Sequence, residues 1–291
     1  MAPYDNPPLE PQPSPLSADI GSAPVATDVS AVEGALPAGS ALSDTPAPAR
    51  DPVWSGWDVV LVAGLTVLTI PVLVVCLGVA AHFLFPKAGL NSIAPVLVVV
   101  AQFLAYIAVA IFMIMLVEGR YHVRFWQAIH WNWPPAGWRM LGLGVLLLLT
   151  INVVARFLPM PKSTPFDQFL ATPRDAYLIS FFAVTLGPLM EELFFRGLLY
   201  PVLARRLGVF WGVILTALPF GLMHMFQYGY AWGVVLLIFL MGVVCTVVRA
   251  RTGSVASSFL VHVGYNGTEM LLLLLATDGF RHMEKAALAV F

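Results

Sequence analysis

The chain is poor in charge. Asp, Glu, Lys and Arg make up 11% of its 291 residues and hydrophobic residues 59%, against roughly 25% and 45–50% in a soluble domain, so a fold in water could not hide its apolar surface. With a formal net charge of −1 it lacks the clustered basic face that nucleic acid requires, which excludes that class of partner. Cysteine is nearly absent. Cys76 and Cys245 lie in apolar stretches without a CxxC or Cys–His spacing, and they read as small hydrophobic fillers. The start of the chain shows no basic stretch followed by a short apolar core and a cleavage site, so no signal peptide is expected. No internal repeat of the transporter kind is present, and no HExxH zinc motif.

What is there falls into two regions. Residues 1–52 hold eleven of the 23 prolines, seven acidic residues and one basic residue, Arg50. Such a tail buries too little apolar surface to offset its ordering entropy and is expected to be disordered. Residues 53–291 form a membrane domain, because a run of roughly 20 apolar residues crosses a bilayer only as a helix that satisfies its own backbone. Hydropathy predicts an all-α bundle of about seven, or eight, spans, near Asp58–Phe85, Ser92–Val117, Met140–Leu158, Ala176–Tyr200, Val209–Phe226, Ala231–Val248 and Ser254–Ala276. The stretch Tyr121–Arg139 interleaves Phe125, Trp126, Trp131, Trp133 and Trp138 with His122, Arg124, His130 and Asn132, the composition of a belt at the headgroup layer. Lys and Arg in the loops favour a cytoplasmic N-terminus in a multi-pass protein of the cell membrane.

Three acidic residues, Glu191, Glu192 and Glu269, fall inside apolar spans, where an ionisable group costs on the order of 3 kcal/mol and asks for a partner or a purpose. Glu192 and Arg196 are four apart and share a helical face, so they can neutralise one another. Glu191 is turned about 100° away from that pair and stays available to accept a proton. In the fifth span Phe220 and His224 are four apart. In the seventh, His262 and Asn266 are four apart, with Glu269 three further on. A carboxylate base, histidines to position water and donors for an oxyanion are the elements of peptide hydrolysis. The same residues also admit a non-enzymatic scaffold or chaperone locked by a polar cluster, or a proton-relaying transporter.

Glu191-Glu192-x-x-x-Arg196, Phe220-x-x-x-His224 and His262-x-x-x-Asn266 resemble, in order and spacing, the three motifs of the CPBP family, the CAAX proteases and bacteriocin-processing enzymes, also called the type II CAAX prenyl endopeptidase or Abi family. The resemblance covers residues 176–276. It implies an intramembrane endopeptidase acting on a membrane-associated peptide or protein, with Glu191 activating water shared by His224, and His262 and Asn266 stabilising the oxyanion. Glu192 and Arg196 are then structural, and Glu269 lies outside the family pattern. A divalent metal such as zinc, held by Glu191, His224 and His262, and a metal-free glutamate-dependent reaction both fit these residues. Counted along straight helices at ~1.5 Å per residue, Glu191 lies about 14 Å deep and His224 about 22 Å, which makes His224 the hardest member to bring into one site.

Overall fold

Where no water reaches the backbone, helices are the economical way to pair every peptide group. The computed structural model describes residues 51–84, 90–161 and 163–285, and these are built from helices with no strand among them. Nearly all of the 1–52 tail therefore lies outside the described residues. The elements are α1 (Gly56–Leu84), α2 (Leu90–Tyr121), α3 (Phe125–Ala128), α4 (Gly137–Ala155), a 3-10 helix Pro165–Leu170, α5 (Pro173–Val184), α6 (Leu186–Glu192), a π segment Leu193–Leu199, α7 (Tyr200–Met223), α8 (Trp232–Thr252), α9 (Val255–Ala276) and a 3-10 turn Met283–Lys285.

Six helical runs among the described residues are long and apolar enough to cross a membrane, and one of them, Pro173–Met223, is 51 residues long. At ~1.5 Å per residue an unbroken helix of that length would be more than twice the thickness of the hydrocarbon layer. It is folded in two at Gly208, whose φ of 80° and ψ of 167° are non-helical. A Cβ on Gly212 would lie 2.9 Å from the Cα of Ala204, whereas residues eight apart in one helix are separated by about 12 Å. The chain thus reverses at Gly208, in the gap between the fourth and fifth predicted spans, so this run is not one straight crossing helix. The protein is a multi-pass membrane protein. Its outward surface is accordingly apolar, with Val67, Val75, Leu146, Val153 and Leu275 all more than half exposed, which suits contact with acyl chains.

Inside, two cores flank the α6–π stretch. Val62, Val109, Met113, Phe125, Ile129, Met190, Leu193 and Leu198 form one. Leu147, Ile151, Phe195, Phe220, Met241, Cys245 and Val261 form the other, so Cys245 is a core filler as expected. Consecutive residues of one short stretch, Met190 to Leu198, therefore pack in both directions, and the segment that carries the two glutamates is held from both sides.

Polar contacts fix the ends of this arrangement. Asp58, 2% exposed at the start of α1, accepts from the Ser55 amide at 2.8 Å, the Ser55 hydroxyl at 2.7 Å, the Tyr121 hydroxyl at 2.6 Å and Arg120 at 3.2 Å, stapling α1 to the end of α2. Arg205 Nη1 donates to the Pro52 carbonyl at 2.6 Å, which ties residues just before α1 to the Gly208 turn. The aromatic belt also has a structural use. Trp126, Trp131 and Trp133 meet edge to face at 5.4 and 5.6 Å. The His130 carbonyl accepts from the Val255 amide at 3.1 Å, and the Asn132 carbonyl accepts from the hydroxyl of Ser254, the N-cap of α9. The belt thereby sets where α9 begins.

The tightest helix contact is between α4 and α9. A Cβ on Gly144 would collide with the carbonyl of Val261 and lie 2.6 Å from the Tyr265 amide, and one on Gly264 would collide with the carbonyl of Leu141. Small residues let two backbones approach in this way. By contrast Gly142, two residues from Gly144, faces open space. Gly144→Ala is expected to destabilise the protein by about 1–3 kcal/mol through overpacking, whereas Gly142→Ala should be neutral or stabilising by up to about 1 kcal/mol. Thermal denaturation of the two purified variants in detergent separates these outcomes.

Candidate active site

Glu192 lies at the end of α6, one residue before the chain widens into the π segment. A π turn loosens the regular i→i−4 ladder and leaves carbonyls to be satisfied from outside. Two are: the Leu198 carbonyl accepts from the indole N–H of Trp54 at 2.9 Å, and the Arg196 carbonyl from Nε of Arg249 at 3.3 Å. The π segment is thus anchored by side chains that precede α1 and lie on α8.

Glu192 and Arg196 form the pair that their spacing predicts, Nη1 to Oε1 at 2.8 Å, with both side chains fully buried. The guanidinium is satisfied further by α8, where Nε donates to the Thr246 hydroxyl at 3.2 Å and Nη2 to the Gly242 carbonyl at 2.8 Å. Below it lies the ring of Phe220, 4.5 Å from the guanidinium carbon, a cation–π contact strengthened by the absence of water. The Phe220 ring also stands 5.3 Å from the His224 ring and 5.9 Å from that of His262. This gives a physical reason for phenylalanine four residues before histidine: it is the wedge shared by a cation and two imidazoles. Gly242 faces the same ring, where a Cβ would lie 2.8 Å from it.

His262, nearly buried on α9, stands between the two glutamates. Its Nδ1 is 3.0 Å from Glu192 Oε1, and its Nε2 is 3.6 Å from Glu191 Oε2. His224, the C-cap of α7, presents Nε2 4.0 Å from Glu191 Oε1, while its Nδ1 lies 2.9 Å from the Phe220 carbonyl. The two oxygens of Glu191 are therefore addressed by two imidazoles from two other helices. Glu191 keeps 16% and His224 14% side-chain exposure, against none for Glu192 and Arg196, so the first two are not sealed off as the ion pair is. His224 is not displaced by depth as the straight-helix count suggests. Thr185, with φ −116° and ψ −78°, breaks the path into α6, and Pro219 interrupts α7, so neither residue sits on a straight rod.

Asn266 is placed differently. Its Nδ2 donates to the Ala183 carbonyl on α5 at 2.7 Å, which orients the amide by one of its two N–H groups. No group of three or more His, Cys, Asp or Glu side chains among the described residues is disposed to hold a metal ion. Glu191, His224 and His262 lie together, with Nε2 of His262 nearest one oxygen of the carboxylate at 3.6 Å and Nε2 of His224 nearest the other at 4.0 Å. Two supporting residues escaped the sequence reading. Tyr106 of α2, which packs against the core that holds Met190, accepts from Gln102 Nε2 at 2.7 Å; a glutamine and a tyrosine four apart in an otherwise apolar span was the available signal. Thr246 carried none.

Removing one member of the buried pair strands the other charge. Glu192→Gln and Arg196→Met are each expected to cost about 3–5 kcal/mol of stability. The double change should be less harmful than either single one, because no lone charge remains. Melting of the purified variants in detergent measures this. Equal melting for all three would mean that the pair does not matter for stability.

Residues 173–268 match the family model described as Type II CAAX prenyl endopeptidase Rce1-like. No curated protein and no solved structure matches the chain. All three motifs, from Glu191 to Asn266, fall within the matched segment, so this part of the chain is similar to a family of CAAX-type endopeptidases, which are peptide hydrolases.

Proposed function

We propose that the protein cleaves a peptide bond in a membrane-associated peptide or protein of the cell membrane, with Glu191 as general base and no metal in the step. The observation that carries this reading is the convergence of Glu191, His224 and His262 from α6, α7 and α9 at 3.6 and 4.0 Å. These separations are too long for direct hydrogen bonds and short enough for one water molecule to touch the carboxylate and an imidazole together.

In the step we infer, water held between Glu191 and His224 gives its proton to Glu191 as it attacks the substrate carbonyl. Glu192, ionised against Arg196, can only accept a hydrogen bond, so Nδ1 of His262 must carry a proton. Nε2 of His262, 3.6 Å from Glu191 Oε2, is the nitrogen that faces the site. Together with the second N–H of Asn266 it would stabilise the oxyanion as charge develops. Collapse of the tetrahedral intermediate then breaks the C–N bond, and Glu191 returns its proton to the leaving amine. Glu192 is in this view a positioning residue as well as half of an ion pair. This sets it apart from a purely structural role.

Glu191→Gln keeps the shape of the side chain and removes the base. It is expected to lower turnover by at least ~100-fold while leaving the melting temperature in detergent within a few degrees of the original. Substrate trapping with this variant in native membranes, followed by identification of what co-purifies, supplies the peptide for the turnover measurement. Undiminished cleavage by the variant would remove Glu191 as the base.

A further inference from the structure

We propose that Glu269 is a specificity residue of this site, receiving a basic side chain of the substrate about three residues from the scissile bond; this builds on the peptidase reading.

The placement follows from α9. Glu269 is seven residues beyond His262, close to two helical turns, with Tyr265 between them on the same stripe. The other faces of α9 are accounted for: Gly264 packs on Leu141 of α4, Gly267 on Val184 of α5, and Asn266 is bonded to Ala183 of α5. Glu269 therefore looks toward the side on which His262 meets the glutamates.

Its surroundings are polar without being cationic. Tyr265 precedes Glu269 by one helical turn on α9, and Tyr228 lies in the turn that begins with His224, its amide donating to the His224 carbonyl at 3.1 Å. The Tyr228 ring is held by Phe166 of the 3-10 helix at 5.8 Å between centroids, and a Cβ on Gly229 would lie 3.0 Å from Pro165. The loop that starts at His224 is thus held in place against the 3-10 helix. Glu269 is only partly buried, and among the described residues no ion pair or hydrogen bond engages it, although it lies within an apolar crossing segment. A carboxylate kept there with no partner among the described residues favours a cation that arrives with the substrate. An ammonium or guanidinium there gains charge pairing with Glu269 and ring contact with Tyr265, one turn away on α9. An acidic side chain would be repelled, and a neutral one would leave the carboxylate desolvated and unpaired.

The distance along α9 sets the register. Seven residues rise about 10 Å, and an extended peptide advances about 3.3 Å per residue, hence three residues.

The test uses the purified full-length protein and quenched fluorescent peptides in which Lys, norleucine or Glu is scanned across the positions on both sides of the cleaved bond. Lys at one position about three residues away should raise kcat/KM over norleucine on the order of tenfold, mainly through KM, and Glu should lower it. Glu269→Gln should collapse the Lys-to-norleucine ratio towards one, and Glu269→Lys should invert it in favour of Glu. Binding of the same peptides to the Glu191→Gln variant, read by anisotropy, should give the same ranking without turnover. A wild-type protein with no preference for Lys at any position, or a preference unchanged in both Glu269 variants, overturns the inference. Cleavage lost while the binding preference persists would count against the peptidase reading and leave Glu269 standing. Glu191-dependent cleavage without the preference does the reverse.

Discussion

Arg196 is a permanent cation with no exposed side-chain surface, in a bundle whose surroundings are hydrocarbon. Such a charge is tolerated only if nearly every donor it carries is met. Meeting them draws in four helices: Glu192 from α6, Thr246 and Gly242 from α8, the ring of Phe220 from α7, and, through the shared oxygen of Glu192, His262 from α9. The arrangement is not additive, since Glu192 Oε1 serves both Arg196 and His262. The interaction that neutralises the guanidinium is the one that fixes an imidazole 70 residues further along the chain. Positioning of the site and stability of the bundle are in this sense a single interaction.

The legible part of the site was its local part. Four-residue spacing places Glu192 on Arg196 and Phe220 under His224, because a helix makes such pairs neighbours whatever surrounds it. The crossing segments were equally plain, and the turn at Gly208 falls in the gap between the fourth and fifth hydropathic runs. Contacts between helices carry no period. Nothing in the sequence aims His262 between two glutamates, and Asn266, paired with His262 by spacing, is committed to the Ala183 carbonyl because α5 passes on that side of α9. The depth count misplaced His224 for a related reason. It assumed straight rods, whereas Thr185, the π segment and Pro219 bend the two segments that must meet. Asp58 was likewise read only as the start of a span. Its role in binding Tyr121 and Arg120 depends on where α2 ends.

The π segment explains how the local and distant parts are reconciled. An unbroken α-helix satisfies its own carbonyls and gives neighbouring side chains little to hold. By widening after Glu192, the chain offers the Arg196 and Leu198 carbonyls to Arg249 and Trp54. The first of these donors comes from α8 and the second from the strand of chain leading into α1, so one irregular turn is gripped from both cores. The irregularity thus lies next to the residues whose geometry matters most, where a regular helix would have supplied less fixation.

Glu191 and Glu192 are adjacent in sequence and are treated oppositely by the fold. A rotation of about 100° sends one into a dry core against a cation and leaves the other beside two imidazoles with 16% of its side chain exposed. The hydrolysis proposed for Glu191 sets this requirement. A charge that holds helices together must be kept from water, which would compete for it. A carboxylate that activates water must be reached by it, yet stay close enough to the dry cluster to be held in place. Two consecutive residues on one helix meet both conditions with His262 as the link, since its two ring nitrogens are directed one to each glutamate. A histidine is suited to that position because no other side chain presents two nitrogens, on opposite sides of a rigid ring, to two carboxylates at once.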